Sequence, residues 1–276
     1  MLSPPLSPSS PPLPFSASSR LAVVTGAGSG IGLALTRALL ARQIQVIAID
    51  CNPPALEDAP GLQVVTLDVS DAAAMQRLAD AVAHRPLHYL FANAGIGAPG
   101  SVLGAPLTAW QRAWDVNVMG ALVSLRCWWP HLVAGQGQAV ATVSAAALQS
   151  YPGAALYRAT KAALLAVLEG LYYEGRNSGV SVHALCPGLV QSQIAAPARS
   201  SAAGDAAPAP DPFTAWVAQA LLSAEPAAHF AERVLDGLAG KPPFYWFTHP
   251  ETLPSIEGRH QAILGGQPFA DFGTLA

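Results

Sequence analysis

Tyr157 and Lys161 stand four residues apart within Ala154–Glu174, a stretch that reads as helical, so their side chains share one face. A phenol with an ordinary pKa of ~10 exchanges protons poorly at neutral pH. An ammonium beside it stabilises the phenolate and lowers that value, which suits the pair to acid–base work on a reacting oxygen. Ser144 closes the apolar run Ala139–Ser144, and its hydroxyl can donate a hydrogen bond where negative charge develops on a carbonyl or alkoxide. Taken singly, such residues are usually a packed ring, a solvated cation and a cap. Their weight comes from what else the chain carries.

A second constellation lies near the N-terminus. Thr25-Gly26-Ala27-Gly28-Ser29-Gly30-Ile31-Gly32 follows the apolar run Leu21–Thr25 and opens a helical pattern, Ile31–Arg42. Glycines let a pyrophosphate approach backbone N–H groups at a helix N-terminus. Such strings also make ordinary turns, and the strand before and helix after are the context that favours a dinucleotide. The next apolar run, Ile44–Asp50, ends on a carboxylate that can accept hydrogen bonds from an adenosine ribose and would repel a 2′-phosphate. Ser29, not a base, precedes Gly30. NAD is therefore expected rather than NADP.

These groups must be held by the intervening elements. Strand patterns at Leu62–Leu67, Leu87–Ala92 and Val180–Cys186 join those above, with a helix at Asp71–Ala83 and a long one at Leu107–Trp129 that Pro130 should end. Helices at Phe213–Ser223 and Ala227–Leu238 precede a last aromatic strand, Phe244–Thr248. Apolar strands interleaved with amphipathic helices predict an α/β fold: a doubly wound, Rossmann-like parallel sheet of about seven strands with helices on both faces. Residues 1–19, dense in Pro and Ser, read as a disordered leader, and 20–276 as one domain.

Composition excludes several classes. With 276 residues, 51% hydrophobic, 11% charged and a net charge of −3, nothing attracts nucleic acid or anionic lipid. Cys51, Cys127 and Cys186 form no disulfide framework or CxxC pair, and a reducing, cytoplasmic setting is expected. No metal is expected: HExxH and Cys/His clusters are missing, and Pro86 separates His84 from His88. Ser144 lies in Thr-Val-Ser-Ala-Ala without a GxSxG elbow, which argues against a serine hydrolase. No segment has the length and apolarity of a membrane span.

The string TGAGSGIG resembles the TGxxxGxG signature of the short-chain dehydrogenase/reductase family, and Tyr157/Lys161 resemble its YxxxK pair. Further matches follow in order: Asp68-Val69, Asn93-Ala94-Gly95, Asn117 within Asp-Val-Asn-Val, and Pro187-Gly188. The resemblance spans roughly Leu21 to Gly188. It implies catalysis by Asn117, Ser144, Tyr157 and Lys161, with Lys161 also holding the nicotinamide ribose and Asn117 fixing a relay water. It further implies dinucleotide contacts from Gly26, Ser29, Gly30, Ile31, Gly32, Asp50, Asp68, Val69, Asn93, Ala94, Gly95, Pro187, Gly188 and Val190. Ser192 is an alternative to Val190 for the carboxamide.

By the same resemblance the substrate lies above the nicotinamide, against Ser144, Leu148, Tyr151, Tyr157, Leu189 and Ile194, with Phe213 and Trp216 nearby and a lid over 189–225. Few charges line these stretches, so an apolar alcohol or ketone is expected. Homodimers or homotetramers would form through the helices bearing Asn117 and Tyr157. Arg158, directly after the tyrosine, departs from the usual pattern and is expected to face away from the site. A non-catalytic NAD-binding sensor or scaffold, or a lyase or epimerase on the same fold, is the alternative reading.

Overall fold

The computed structural model describes residues 19–52, 56, 58–82, 85–98, 100–194 and 212–267, with the side chains of 212–214 left aside. Most of the expected leader, His84, the 195–211 part of the lid and the Phe213 side chain lie outside the described residues.

Seven strands form one sheet: β1 (Leu21–Thr25), β2 (Gln45–Asp50), β3 (Leu62–Thr66), β4 (Tyr89–Ala92), β5 (Gln138–Thr142), β6 (Ser181–Cys186) and β7 (Tyr245–Phe247). Their order is β3-β2-β1-β4-β5-β6-β7, and every neighbouring pair is parallel. Parallel strands need crossovers, and among the described residues every one but that from β2 to β3 contains a helix: α1 (Gly30–Ala41), α2 (Ala72–Ala81), α3 (Leu107–Trp114), α4 (Ala121–Gly135), α5 (Ala155–Gly175), α6 (Pro212–Leu222) and α7 (Ala227–Ala239), while α8 (Leu253–Leu264) follows the last strand.

Alternation along β1 explains its unbroken apolar run. Leu21 and Val23 enter the core shared with Leu78 of α2, Trp128 of α4 and Leu164 of α5. Ala22 and Val24 enter the opposite core, with Leu35 of α1 and Phe230 of α7. Both faces of the strand are thus buried. Chain order reverses between β1 and β4, so a crevice opens at the carboxyl ends of those strands, where such sheets bind ligands. The expected fold class is the observed one.

Two elements differ from expectation. The helix assigned to Leu107–Trp129 is α3, a π-helical segment Asp115–Gly120 and then α4, which runs through Pro130 to Gly135. Pro130 is exposed and removes one backbone bond, while Trp128 and Leu132 on either side of it are fully buried and carry the helix onward. Termination comes at Gln136, whose left-handed φ of 46° turns its N–H back to the Leu132 and Val133 carbonyls. Helix α8 has no counterpart in the sequence reading. It contains no buried residue, so it leaves no amphipathic stripe, and its Pro254 sits in the first turn, where proline is tolerated.

The join between α1 and the sheet is tight. A methyl at Gly32 would stand 2.0 Å from the Gly26 carbonyl oxygen and 2.7 Å from Asn93 Nδ2. Gly32→Ala must therefore push α1 off β1, with an expected loss of about 1–3 kcal/mol. Urea denaturation should show a lower midpoint with an unchanged m value.

Candidate active site

The glycine turn lies at the carboxyl end of β1. Gly26 and Gly30 adopt φ of 68° and 51°, values that suit glycine. A side chain at Gly28 would strike the Asp50 carboxylate at 2.8 Å, and one at Gly30 would strike Ser192 at 2.9 Å. Ser29 caps α1 by position but makes no side-chain cap bond, and the first turn holds no acid. The leading N–H groups of α1 are thus without a side-chain cap, and a helix N-terminus behind a glycine turn fits a pyrophosphate. Asp50 is fixed by Gly28 N–H and Asn52 N–H, each donating to it at 2.8 Å.

A chain of hydrogen bonds runs from this turn across the strand ends. Thr25 Oγ1 accepts from the N–H groups of Asn93 and Ala94, each at 3.0 Å. Asn93 Nδ2 donates to the Thr25 carbonyl at 3.2 Å, and Thr142 Oγ1 donates to Asn93 Oδ1 at 3.0 Å. Lys161 Nζ then donates to the Thr142 carbonyl at 2.8 Å and lies 5.8 Å from the centre of the Tyr157 ring. The residue before the glycine turn and Lys161 are therefore joined by one hydrogen-bond network across the strand ends. Thr25 and Thr142 carry much of this geometry, yet neither has an assigned role in the sequence reading. A β-branched residue at a strand end reads only as a strand former, and its hydroxyl sends no signal of its own.

Asn117 lies in the π-helical segment and is fully buried. Its Oδ1 accepts from Ile96 N–H at 2.8 Å, while Nδ2 donates to the Ile96 carbonyl at 3.1 Å and to Thr160 Oγ1 at 3.0 Å. A methyl at Gly95 would stand 3.2 Å from Asn117 Oδ1 and 3.3 Å from Lys161 Nζ, which places the amide and the ammonium side by side. Ser144 hydrogen-bonds Tyr157, and its Oγ also accepts from Ala146 N–H at 3.1 Å. Ser144 holds φ 154° and ψ 149°, a region nearly restricted to glycine, at a cost on the order of 1–3 kcal/mol.

Electrostatics here are governed by burial. Desolvation pushes the Tyr157 phenol up to about 12, with the Ser144 hydrogen bond pulling the other way. The same force drives Lys161 down to about 8, opposed by neighbouring Cys186. The Tyr157 value therefore rises where the sequence suggests a fall, and burial is the cause. The ammonium is aimed at the Thr142 carbonyl, and loss of hydration dominates the phenol.

The remaining expected residues divide. Asp68 accepts from Ser70 N–H at 2.9 Å, Ser70 Oγ at 2.7 Å and Arg112 Nη2 at 2.9 Å, and these partners hold its carboxyl below the ordinary range against the upward pull of burial. Val69 is buried and abuts Gly120 of the π-helical segment. Pro187 accepts Ala145 N–H at 2.9 Å, and Gly188 packs on His249. Val190 points into the α1/α7 core and bridges to Glu225, whereas Ser192 abuts Gly30 at the glycine turn. Leu189 is exposed, Leu148 packs partly into the main core, and the Ile194 carbonyl lies against Gly97. Arg158 does not face away. It contacts the carbonyls of Gln149 and Tyr151 and stacks on the Tyr151 ring, because the segment after Ser144 folds back over α5. Among the described residues no group of three His, Cys, Asp or Glu side chains could hold a metal, and no helix is long and apolar enough to cross a membrane.

A family model described as short chain dehydrogenase matches residues 20–203, and the chain belongs to that family. It is 30% identical over 183 residues to a meso-2,3-butanediol dehydrogenase of Serratia marcescens, covering 63% of this chain and 73% of that one. A 2-(R)-hydroxypropyl-CoM dehydrogenase of Xanthobacter autotrophicus is 31% identical over 64% of this chain and 76% of its own. A crystal structure of a short chain dehydrogenase/reductase from Burkholderia phymatum in complex with NAD superposes with a TM-score of 0.82 at 28% identity, covering 95% of this chain and 100% of that chain.

The buried ammonium makes a thermodynamic prediction. Lys161 titrates near 10.5 when hydrated and near 8 in the fold, so the folded chain binds fewer protons between those values. Stability must therefore rise with pH across that window, and the full penalty of the charge is present below it. Lys161→Met, similar in length, should stabilise the protein at pH 7 by about 2 kcal/mol after the orphaned Thr142 carbonyl is counted. That gain should shrink as pH rises from 8 to 10.5 in denaturant titrations.

Proposed function

We propose that the protein is an NAD-dependent oxidoreductase that interconverts a secondary alcohol and a ketone on an apolar substrate, with Tyr157 as general acid and base. One observation carries this reading: Lys161, whose ammonium lies 5.8 Å from the centre of the Tyr157 ring, is tied through Thr142, Asn93 and Thr25 to the uncapped glycine turn, while Ser144 hydrogen-bonds Tyr157. Family membership and the butanediol and hydroxypropyl-CoM dehydrogenase relatives support the oxidoreductase part of this reading, the interconversion of an alcohol and a ketone.

The residues fit a dinucleotide. Gly26 to Gly32 would cradle the pyrophosphate and Asp50 the ribose, while Asp68, Val69, Asn93, Ala94, Gly95, Pro187, Gly188 and Val190 or Ser192 would line the rest. When bound, the nicotinamide supplies or accepts the hydride. Tyr157 holds the proton that the substrate oxygen gains or releases. Its raised value keeps it protonated at neutral pH, a suitable donor to a developing alkoxide. Ser144 steadies that oxygen by hydrogen bonding. The Lys161 charge offsets the phenolate left behind, and Asn117 anchors Ile96 beside it while serving the proposed proton relay.

An apolar setting is supported by Ile96, Ala98, Trp110 and Leu156, which pack in one core cluster with Tyr157. A cytoplasmic homodimer or homotetramer built on one Rossmann-type domain completes the reading, with the helical stretch that carries Asn117 and the helix α5 that carries Tyr157 as the contact.

A screen for NADH formation over hydrophobic and sugar alcohols tests the proposal, with Tyr157→Phe expected to lose at least 100-fold in kcat while still binding NADH. Exclusive turnover of a sugar phosphate would refute the apolar reading. Cofactor choice has its own check. Asp50→Asn keeps an acceptor for Gly28 N–H but removes the charge facing a 2′-phosphate, so the NADP to NAD ratio of kcat/KM should rise by roughly 10- to 100-fold. An unchanged ratio would show that Asp50 does not discriminate.

A further inference from the structure

The segment that follows Ser144 is gripped by two guanidinium groups from different helices. Arg158, on α5, donates through Nη1 to the Tyr151 carbonyl at 3.3 Å and through Nη2 to the Gln149 carbonyl. Its Cζ lies over the Tyr151 ring, 5.2 Å from the ring centre, and its Nε is buried without a partner. Arg259, on α8, donates to the Leu148 carbonyl at 3.3 Å. Three carbonyls of a four-residue stretch are thereby held by cations. Among the described residues neither arginine has a carboxylate within salt-bridge range.

Such a grip is costly if its only task is to satisfy carbonyls, since water or an amide would do that without charge. Burial destabilises the Arg158 charge, and Arg259 nearby adds repulsion. What a planar, multi-donor group offers is fixed geometry: it can bond two carbonyls and stack on a ring at once. The held stretch continues directly from Ser144, the hydrogen-bond partner of Tyr157, and its Leu148 and Gln149 N–H groups bond the carbonyl of Ala145, the next residue after that serine. The clamped stretch is therefore a wall beside the proton-exchanging hydroxyl.

We propose that Arg158 and Arg259 are positioning residues that lock Leu148–Tyr151 as a rigid wall of the substrate site and so set which alcohols fit beside Tyr157. This rests on the oxidoreductase reading for its substrate. The locking itself does not. The clamp acts on substrate selection, not on the chemical step, and joins the C-terminal helix to the site.

Arg158→Met, Arg259→Met and the double variant test this, with Arg158→Lys as the conservative control. Across a graded series of secondary alcohols, the Met variants should raise KM about tenfold for bulky members with kcat within about threefold, narrowing the discrimination between small and bulky alcohols. NADH affinity, read by fluorescence, should not change. Hydrogen exchange should quicken at the Leu148 and Gln149 amides, which bond the Ala145 carbonyl, and stay as in wild type elsewhere. Arg158→Lys should behave as Arg158→Met, because one ammonium cannot span two carbonyls and a ring. Unchanged selectivity would overturn the proposal, and so would a KM rise accompanied by faster exchange throughout the domain. If the wild type oxidises no alcohol, the oxidoreductase reading fails separately, and unchanged exchange at Leu148 and Gln149 would still overturn the clamp.

Discussion

An ammonium with 2% of its surface exposed needs an acceptor, and Lys161 finds one in the Thr142 carbonyl at the end of β5. That requirement shapes the surrounding site. Thr142 can offer its carbonyl only where the parallel ladder ends, and its hydroxyl reaches sideways to Asn93 beyond the end of β4. Asn93 in turn bonds Thr25 at the end of β1, directly before the glycine turn. β1, β4 and β5 are neighbours in the sheet, so each step crosses one interstrand spacing. The cradle and the phenol are held in register by the sheet itself. A buried polar network of this kind is favourable only when complete, since an orphaned member costs more than the network gains.

Two irregular backbones sit at the same place. Ser144 takes a conformation that favours glycine, and Asp115–Gly120 winds as a π-helix around Asn117. Neither serves packing efficiency. The strained turn at Ser144 is fixed from both sides, by Val143 N–H donating to Leu185 and Ala145 N–H donating to Pro187. Hydrogen bonds of β6 and the turn after it thus hold the hydroxyl toward Tyr157. The π-helical turn brings Asn117 inward to grip Ile96 on both its N–H and its carbonyl. Irregular turns of these types recur where function, not stability, dictates direction.

This division explains what was legible in the sequence. Strands buried on both faces must be apolar, and helices covering them must be amphipathic, so the alternation from Leu21 to Cys186 projects the sheet onto composition. The glycines were legible because close approach forbids a Cβ, as at Gly28 and Gly32. Helix α8 and the passage of α4 through Pro130 were not. The first buries nothing, and the second depends on Trp128 and Leu132 finding a core that only the tertiary fold creates. Within the site, residue types were readable and directions were not. Tyr157 and Lys161 share a face as their spacing requires, but the ammonium turns to a carbonyl that no local pattern names. Arg158 turns inward for the same reason: its acceptors lie on a segment that folds back from seven and nine residues earlier.

A chain with 11% charged residues has few ions to place, and several brace loops around the crevice. Arg112 bonds Asp68 after β3. Arg233 makes a two-point bond to Glu225, whose carbonyl accepts Gln191 N–H at 2.9 Å on the segment after Gly188. Arg158 and Arg259 hold the stretch after Ser144. Exposed ion pairs add little stability, typically about 0–1 kcal/mol, so thermodynamic reward does not explain their placement. The guanidinium explains it better, because several donors in one plane restrain both the position and the orientation of a loop. The sheet fixes strand ends but leaves the loops beyond them free to sample other shapes. Arginine struts extend the precision of the sheet outward by one layer, to the segments that must meet a ligand.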